Sequence, residues 1–172
     1  MANHQSVAHM FRDRVAKSAD SEAFSFPEGA GWASMTWRQV SAKVDLVAGG
    51  LLALGLGDED RVGVLCSTRV EWLFADIATN VAGGAATTIY PSSTAEDCQY
   101  ILEDSGCKLC FVENQTQVDK LSSVRERIGG LQNVIIIDGK GSADGWVMSW
   151  SDLEAKGKAH IAAHPDALEE VL

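Results

Sequence analysis

Basic charge is scarce in this chain: 14 Lys and Arg stand against 24 Asp and Glu, a formal net charge of −10. A nucleic-acid binder needs a basic face to neutralise phosphates. The densest basic stretch, Lys120 to Arg127, is interrupted by Glu126 and follows Asp119, so it reads as a solvated helix face. Long apolar runs are absent too, and nothing approaches the roughly 18 residues of a membrane span. The start, Met1-Ala2-Asn3-His4-Gln5, has neither the basic residues nor the apolar core of a secretory signal. The expectation is a cytoplasmic protein with no transmembrane segment and no nucleic-acid partner.

The usual chemical signatures are missing. No Walker phosphate loop and no G-x-S-x-G nucleophile elbow occurs. Gly55-Leu56-Gly57 precedes an apolar run, whereas a dinucleotide loop follows one. Gly139-Lys140-Gly141 follows one, but the next glycine, Gly145, is one place too late for G-x-G-x-x-G, so a plain loop is expected. His4, His9, His160 and His164 lie near the chain ends, away from the strand C-termini where α/β sites collect. Of the 4 cysteines, Cys107 and Cys110 form a C-x-x-C, and His160 and His164 have helical i, i+4 spacing. The gap between the pairs is far longer than in a zinc finger. Residues 108–112 read as a buried strand, where a thiol packs as a small hydrophobe. That usage suits a reducing compartment.

What is present is periodicity. Val7, Met10, Phe11 and Val15 predict an amphipathic helix over 6–18. Two short strands, 23–26 and 31–35, flank a turn at Pro27-Glu28-Gly29-Ala30. Thr36 with Gln39 offers a capping box for a long helix with Trp37, Val40, Val44, Val47 and Leu51 inward. Then strands at 61–66, 85–89, 108–112 and 133–137 alternate with helices to about 82, 104 and 128. Thr68/Glu71 and Ser93/Glu96 are the expected capping boxes, Asn114 a further cap, and Ser151/Glu154 the start of one or two helical turns. Short apolar strands joined by helices imply a parallel, Rossmann-like βαβαβαβ layer. The fold class is thus α/β, with an N-terminal helix, a short β-hairpin and a capping helix. One partial domain is expected over 1–172: a helix/hairpin/helix lead-in (1–57), the parallel unit (58–138) and an irregular tail (139–172), in which Trp146 to Trp150 reads as a short strand or loop and the chain from Lys158 on as a helical or frayed end with no obvious core role. Ser67-Thr68-Arg69, after the first strand, is the one turn that could hold an anion at a helix N-terminus, although a capping turn is the plainer reading.

Several segments, in order, carry a resemblance. Arg61-Val62-Gly63-Val64-Leu65-Cys66-Ser67-Thr68-Arg69-Val70-Glu71-Trp72 is similar to the "DRVAI-xx-NRPEW" stretch of the adenylate-forming (AMP-binding) superfamily. Gly83 to Ser93, with its Tyr90-Pro91, resembles "GAVVVPIYPT". Tyr100 to Lys108, with Asp104-Ser105-Gly106, resembles "YILNDSGAK", and Met35 to Val40 resembles the "xTYxEL" start. The wording is nearest to bacterial long-chain fatty-acid–CoA ligases and spans roughly residues 5–155. Departures are Thr68 and Val70, where Asn and Pro are usual, and Glu59, where Gly is usual.

The resemblance implies an N-terminal portion of a ligase for which fatty acid, ATP and CoA are substrates and Mg²⁺ a cofactor. In such enzymes a carboxylate attacks the α-phosphate of ATP, and CoA then displaces AMP. The fatty-acyl-AMP ligases, which pass the acyl group to a carrier protein, are close cousins. The family's phosphate loop, "YTSGTTGxPKG", and its later adenosine, ribose, hinge and acyl-transfer residues match nothing between Met1 and Leu172. The implied expectation is no catalytic, cofactor-binding or metal residue in this chain, no cofactor bound by it, and no activity by itself. Homodimerisation is left open. The competing reading is a non-catalytic Rossmann- or flavodoxin-like binding module.

Overall fold

A computed structural model describes residues 6–171; His4, with the rest of 1–5, and Leu172 lie outside the described residues. Ser6 caps α1 (Val7–Ser18), its hydroxyl accepting from the His9 amide. β1 (Glu22–Glu28) and β2 (Gly31–Thr36) form an antiparallel hairpin in which Glu28 pairs with Gly31. The intervening Gly29 takes φ +58°, where a Cβ would clash with the backbone. Thr36 and Gln39 close the expected capping box on α2 (Trp37–Ala53).

The parallel sheet contains β3 (Arg61–Leu65), β4 (Ala85–Ile89), β5 (Cys107–Asn114), β6 (Asn133–Asp138) and β7 (Val147–Ser149), in the order β4-β3-β5-β6-β7. α3 (Val70–Val81) joins β3 to β4, α4 (Ala95–Asp104) carries the chain back to β5, and α5 (Gln115–Ser122) leads to β6. Strand alternation sorts the core into two clusters. Val62, Val64, Leu109, Phe111 and Ile135 pack with α2 and α3 on one face. Leu65, Cys110, Val112, Val134 and Ile136 pack with α4 and α5 on the other. Burial of both faces explains why these strands read as continuous apolar runs.

The structure differs from the sequence expectation chiefly after residue 138. The tail is not irregular. Residues 139–146 return along the sheet without a helix, and β7 adds a fifth parallel strand, Ile135 pairing with Met148. α6 (Trp150–Ala163) then lies against α2, and the short α7 (Ala167–Glu170) follows. Leu153 is fully buried, and Gly157 meets the α2 backbone at Leu46 and Gly50. Beyond Lys158, Ile161 packs against the core and Leu168 is buried in it, so the end of the chain does have a core role.

Two caps and one helix end shift along the chain. Thr94 and Asp97 form the α4 box, because Ser93 is used in a turn to the Tyr90 carbonyl. Ser149 caps α6 through the Asp152 amide, while Glu154 instead holds Lys43 and the Trp150 indole N–H, each at 3.0 Å. α5 stops at Ser122, and a 3₁₀ turn over Arg125–Arg127 brings Ile128 into the core.

Candidate functional site at the switch point of the sheet

In this strand order the connections out of β3 and into β5 diverge, α3 covering one face and α4 the other. The crevice at the C-terminal ends of β3 and β5 is where open α/β sheets ordinarily bind ligands. Ser67-Thr68-Arg69, the turn singled out from sequence, lies there. It does not form the expected Thr68/Glu71 capping box. Arg69, extended at φ −150°, is the N-cap of α3 and makes no side-chain cap bond. Its guanidinium takes Glu71 instead, Nε to Oε2 at 2.6 Å, so Glu71 is drawn away from the helix end. The other edge of the same guanidinium grips Asp138 at the end of β6 through both carboxylate oxygens, one of them at 3.1 Å. Two carboxylates raise the Arg69 pKa further above its ordinary value, the hydrogen bond that Arg69 donates to Glu71 contributing most.

The donors of the turn are likewise engaged. The Ser67 amide donates to Glu113 Oε2 at 2.9 Å, and the Ser67 hydroxyl donates to the same oxygen at 2.8 Å. Glu113, near the end of β5, thus occupies the position an anionic ligand would take. The crevice holds one guanidinium and three carboxylates, Glu71 and Asp138 on Arg69 and Glu113 on Ser67, so an approaching phosphate meets negative charge and spent donors. The geometry clamps three strand ends together and does not suit a nucleotide phosphate.

Cys66 also borders the crevice. Burial, foremost, raises its thiol to about 12, with Glu113 adding to the effect. Such a thiol is no nucleophile near neutral pH. Two clefts flank the clamp. One, of about 340 Å³, is lined by Lys43, Glu71, Phe74, Asp138 and Trp150. The other, of about 520 Å³, lies between the hairpin tip at Pro27 and Glu28 and the turn.

The other sequence candidates are not brought together. Cys107 and Cys110 are fully buried in β5, where burial raises both thiol pKa values. His160 and His164 lie with ring centres 5.0 Å apart, tilted by 44°, at the end of α6. His9 bonds Ser6. Among the described residues no three His, Cys, Asp or Glu converge on a metal position. Gly139-Lys140-Gly141 belongs to the return loop before β7. Sequence reasoning named Arg69 but missed Glu113 and Asp138. The available signal was that each is an acid closing an apolar strand.

The fold is thus a parallel α/β layer covered on both faces, with the donors of its switch-point turn engaged by carboxylates. Comparison with known proteins gives the family. The model of the AMP-binding enzyme family matches residues 11–170, and the chain belongs to that family. It is 31% identical over 129 residues to the long-chain-fatty-acid–CoA ligase ACSBG2 of Xenopus laevis, covering 75% of this chain and 18% of that protein. The human long-chain-fatty-acid–CoA ligase ACSBG1 is 32% identical over 130 residues, covering 76% of this chain and 18% of its own length. The chain thus spans about a fifth of the length of the curated relatives it matches. Among solved structures, the anthranilate CoA ligase AuaEII in complex with anthranoyl-AMP has the same fold over 90% of this chain and 28% of its own, with a TM-score of 0.76 at 22% identity. A long-chain-fatty-acid-CoA ligase (FadD1) from Archaeoglobus fulgidus superposes over 91% of this chain and 31% of its own, with a TM-score of 0.76 at 18% identity. No helix of the described residues is long and apolar enough to cross a membrane.

Proposed function

We propose that this chain is the N-terminal portion of a long-chain fatty-acid–CoA ligase and carries no catalytic residue of its own. The complete enzyme would join a fatty acid to ATP, releasing pyrophosphate and forming acyl-AMP, and then transfer the acyl group to the CoA thiol. Both steps develop negative charge on phosphate or carbonyl oxygen, which a cation and a donor-rich loop must stabilise. The chain offers neither at its switch point, because Arg69 and Ser67 are already committed to carboxylates. That commitment is the observation that carries the reading, and it weighs against a free-standing nucleotide module. The three parts read from sequence, 1–57, 58–138 and 139–172, act here as one packed unit, since α6 lies on α2. Four free, buried thiols favour the cytoplasm.

The test has two arms. Calorimetric titration of this chain with Mg·ATP is expected to show no micromolar binding, and micromolar affinity would overturn the division of labour. The longer protein containing this chain is expected to release pyrophosphate and form acyl-CoA from long-chain fatty acid, ATP and CoA. Transfer to a carrier protein instead of CoA would reassign it to the fatty-acyl-AMP ligases.

A further inference from the structure

His160 lies in the last turn of α6 and His164 is its C-cap, so the two rings sit one turn apart on one face. The His164 amide donates to the His160 carbonyl at 2.8 Å, which holds the pair in helical register. The ring centres are 5.0 Å apart, with the planes tilted by 44°. Neither ring has a hydrogen-bond or ion-pair partner among the described residues. His160 is half-buried and His164 exposed, so unspent imidazole nitrogens face solvent. The spacing has a chemical meaning. A metal held by two imidazole nitrogens at about 2.0–2.1 Å lies about 3.2 Å from each ring centre, which puts the centres about 4.5 Å apart at a right angle and about 5.2 Å apart at the tetrahedral angle. The observed 5.0 Å falls between the two. Charge favours a cation here as well. A helix C-terminus carries partial negative charge. Exposed Asp166, Glu169 and Glu170 follow in sequence, and Asp166 makes no side-chain cap bond on α7. Lys156, one turn before His160, is the opposing charge and is itself exposed.

We infer that His160 and His164 chelate a divalent, zinc-type metal ion, with water in its remaining positions. Imidazole suits zinc, whereas Mg²⁺ takes carboxylate, carbonyl and water oxygens. Two histidines at i, i+4 on one helix face are a recurrent zinc-binding pair. Among the described residues no third His, Cys, Asp or Glu converges with them. Structural zinc sites use four protein ligands and catalytic ones three, so a two-ligand site at the surface is an exchangeable one. The cysteines do not compete, because all four are buried in the folded chain. A metal bridging these positions ties down the last turn of α6, the helix that lies on α2. The inference is independent of the ligase reading, because it uses only two side chains and one helix end.

The experiment titrates the chain with Zn²⁺ in a non-coordinating buffer and reads the heat. Thermal unfolding of each variant without metal serves as the folding control. One saturable ion per chain is expected, and Mg²⁺ at the same concentration should not displace it. His160→Ala and His164→Ala should each weaken Zn²⁺ by about tenfold or more. His4→Ala and His9→Ala, at the other two histidines, should leave it unchanged. The double variant His164→Ala with Ala162→His keeps the histidine count but puts the pair at i, i+2, where side chains do not face each other, and should stay as weak as His164→Ala. Zn²⁺ should raise the melting temperature of the parent chain and not that of His164→Ala. The proposal is overturned if no saturable binding occurs. Parent-like affinity in either His160→Ala or His164→Ala would overturn it too, since a chelate needs both rings. So would full affinity in the i, i+2 variant, which would reduce the pair to two independent surface imidazoles. Failure here leaves the Mg·ATP result untouched, so the two readings fall separately.

Discussion

Gly157→Ala probes the contact that holds α6 against α2. A Cβ at Gly157 would lie 1.8 Å from the Leu46 carbonyl oxygen and 2.7 Å from the Gly50 nitrogen, both backbone atoms of α2. A flexible side chain can swing aside, but a helix backbone cannot. Relief to an ordinary contact requires the two helices to separate by roughly 1.5 Å, which forfeits a large part of the dispersion energy along the crossing. Leu153, fully buried against α2, and Ile161, packed against Gly49, would lose contact together. Overpacking of this kind costs about 1–3 kcal/mol or more, and alanine recovers about 1 kcal/mol of helix propensity over glycine. A backbone oxygen at 1.8 Å puts the cost at the top of that range, about 3 kcal/mol, so the net loss should be about 2 kcal/mol. With a urea m-value near 2 kcal/mol/M, the unfolding midpoint should fall by about 1 M with the slope unchanged. Gly129→Ala is the control, because nothing lies within 4 Å of its Cβ position and its φ is ordinary; it should move stability by less than about 0.5 kcal/mol. A Gly157→Ala midpoint equal to or above the parent's would refute the reasoning and restore a loose tail.

Glu59 has φ +57°, the left-handed region that costs a side-chain-bearing residue about 1–2 kcal/mol, so Glu59→Gly should raise the melting temperature by about 2–4 °C in a calorimetric scan. All four cysteines are buried and burial raises each thiol pKa, Cys66 to about 12, so Ellman's reagent at pH 8 should find almost no fast-reacting thiol in the folded chain and all of them in urea. Asp60 is held below the usual carboxylate range, first by Lys108 at 2.6 Å and then by the Gly57 amide. The sign follows from linkage: its contribution is complete above the unfolded value near 3.9 and is lost as pH falls through the folded value. Asp60→Asn should therefore flatten the acid limb of a stability–pH curve below about pH 4. Asp76, raised by burial, works in the opposite sense and should be left intact in that comparison. Arg69→Met should lower stability by about 1–3 kcal/mol in urea unfolding, because Glu71 and Asp138 lose their shared cation.

The parallel core was legible because each strand from 61 to 137 is a short β-branched run followed or preceded by a helix with a clear apolar face. β7 was legible only as a short strand or loop over 146–150 and not as a fifth parallel strand, because its crossover of residues 139–146 contains no helix to announce one. α6 was legible only as one or two turns from Ser151, and its full length was hidden for a different reason. Its inward face is built on Gly157 against the Gly49–Gly50 step of α2, and glycine adds nothing to an apolar periodicity. Capping shifts of one or two residues at Thr94 and Ser149 arose because the residue expected as cap was needed in a turn or helix beyond. The departure at Glu59 has a physical meaning that sequence alone lacked: the position wants φ > 0, which glycine meets without strain.

At the switch point, the turn was visible and its partners were not, since Glu113 and Asp138 are 46 and 69 residues away from the groups they bind. That separation explains why the bland and the functional readings of Ser67-Thr68-Arg69 could not be told apart from local pattern. A free anion site keeps its amide and guanidinium donors facing solvent, whereas a clamp spends them on acids drawn from other strands. The Ser67 amide, the Ser67 hydroxyl and both edges of Arg69 are spent. The rim therefore gains rigidity across β3, β5 and β6 at the cost of phosphate affinity. Rigidity there is useful to a larger enzyme only if the charge-stabilising loop comes from chain beyond this portion and leans on the clamped edge, as the proposed division of labour requires.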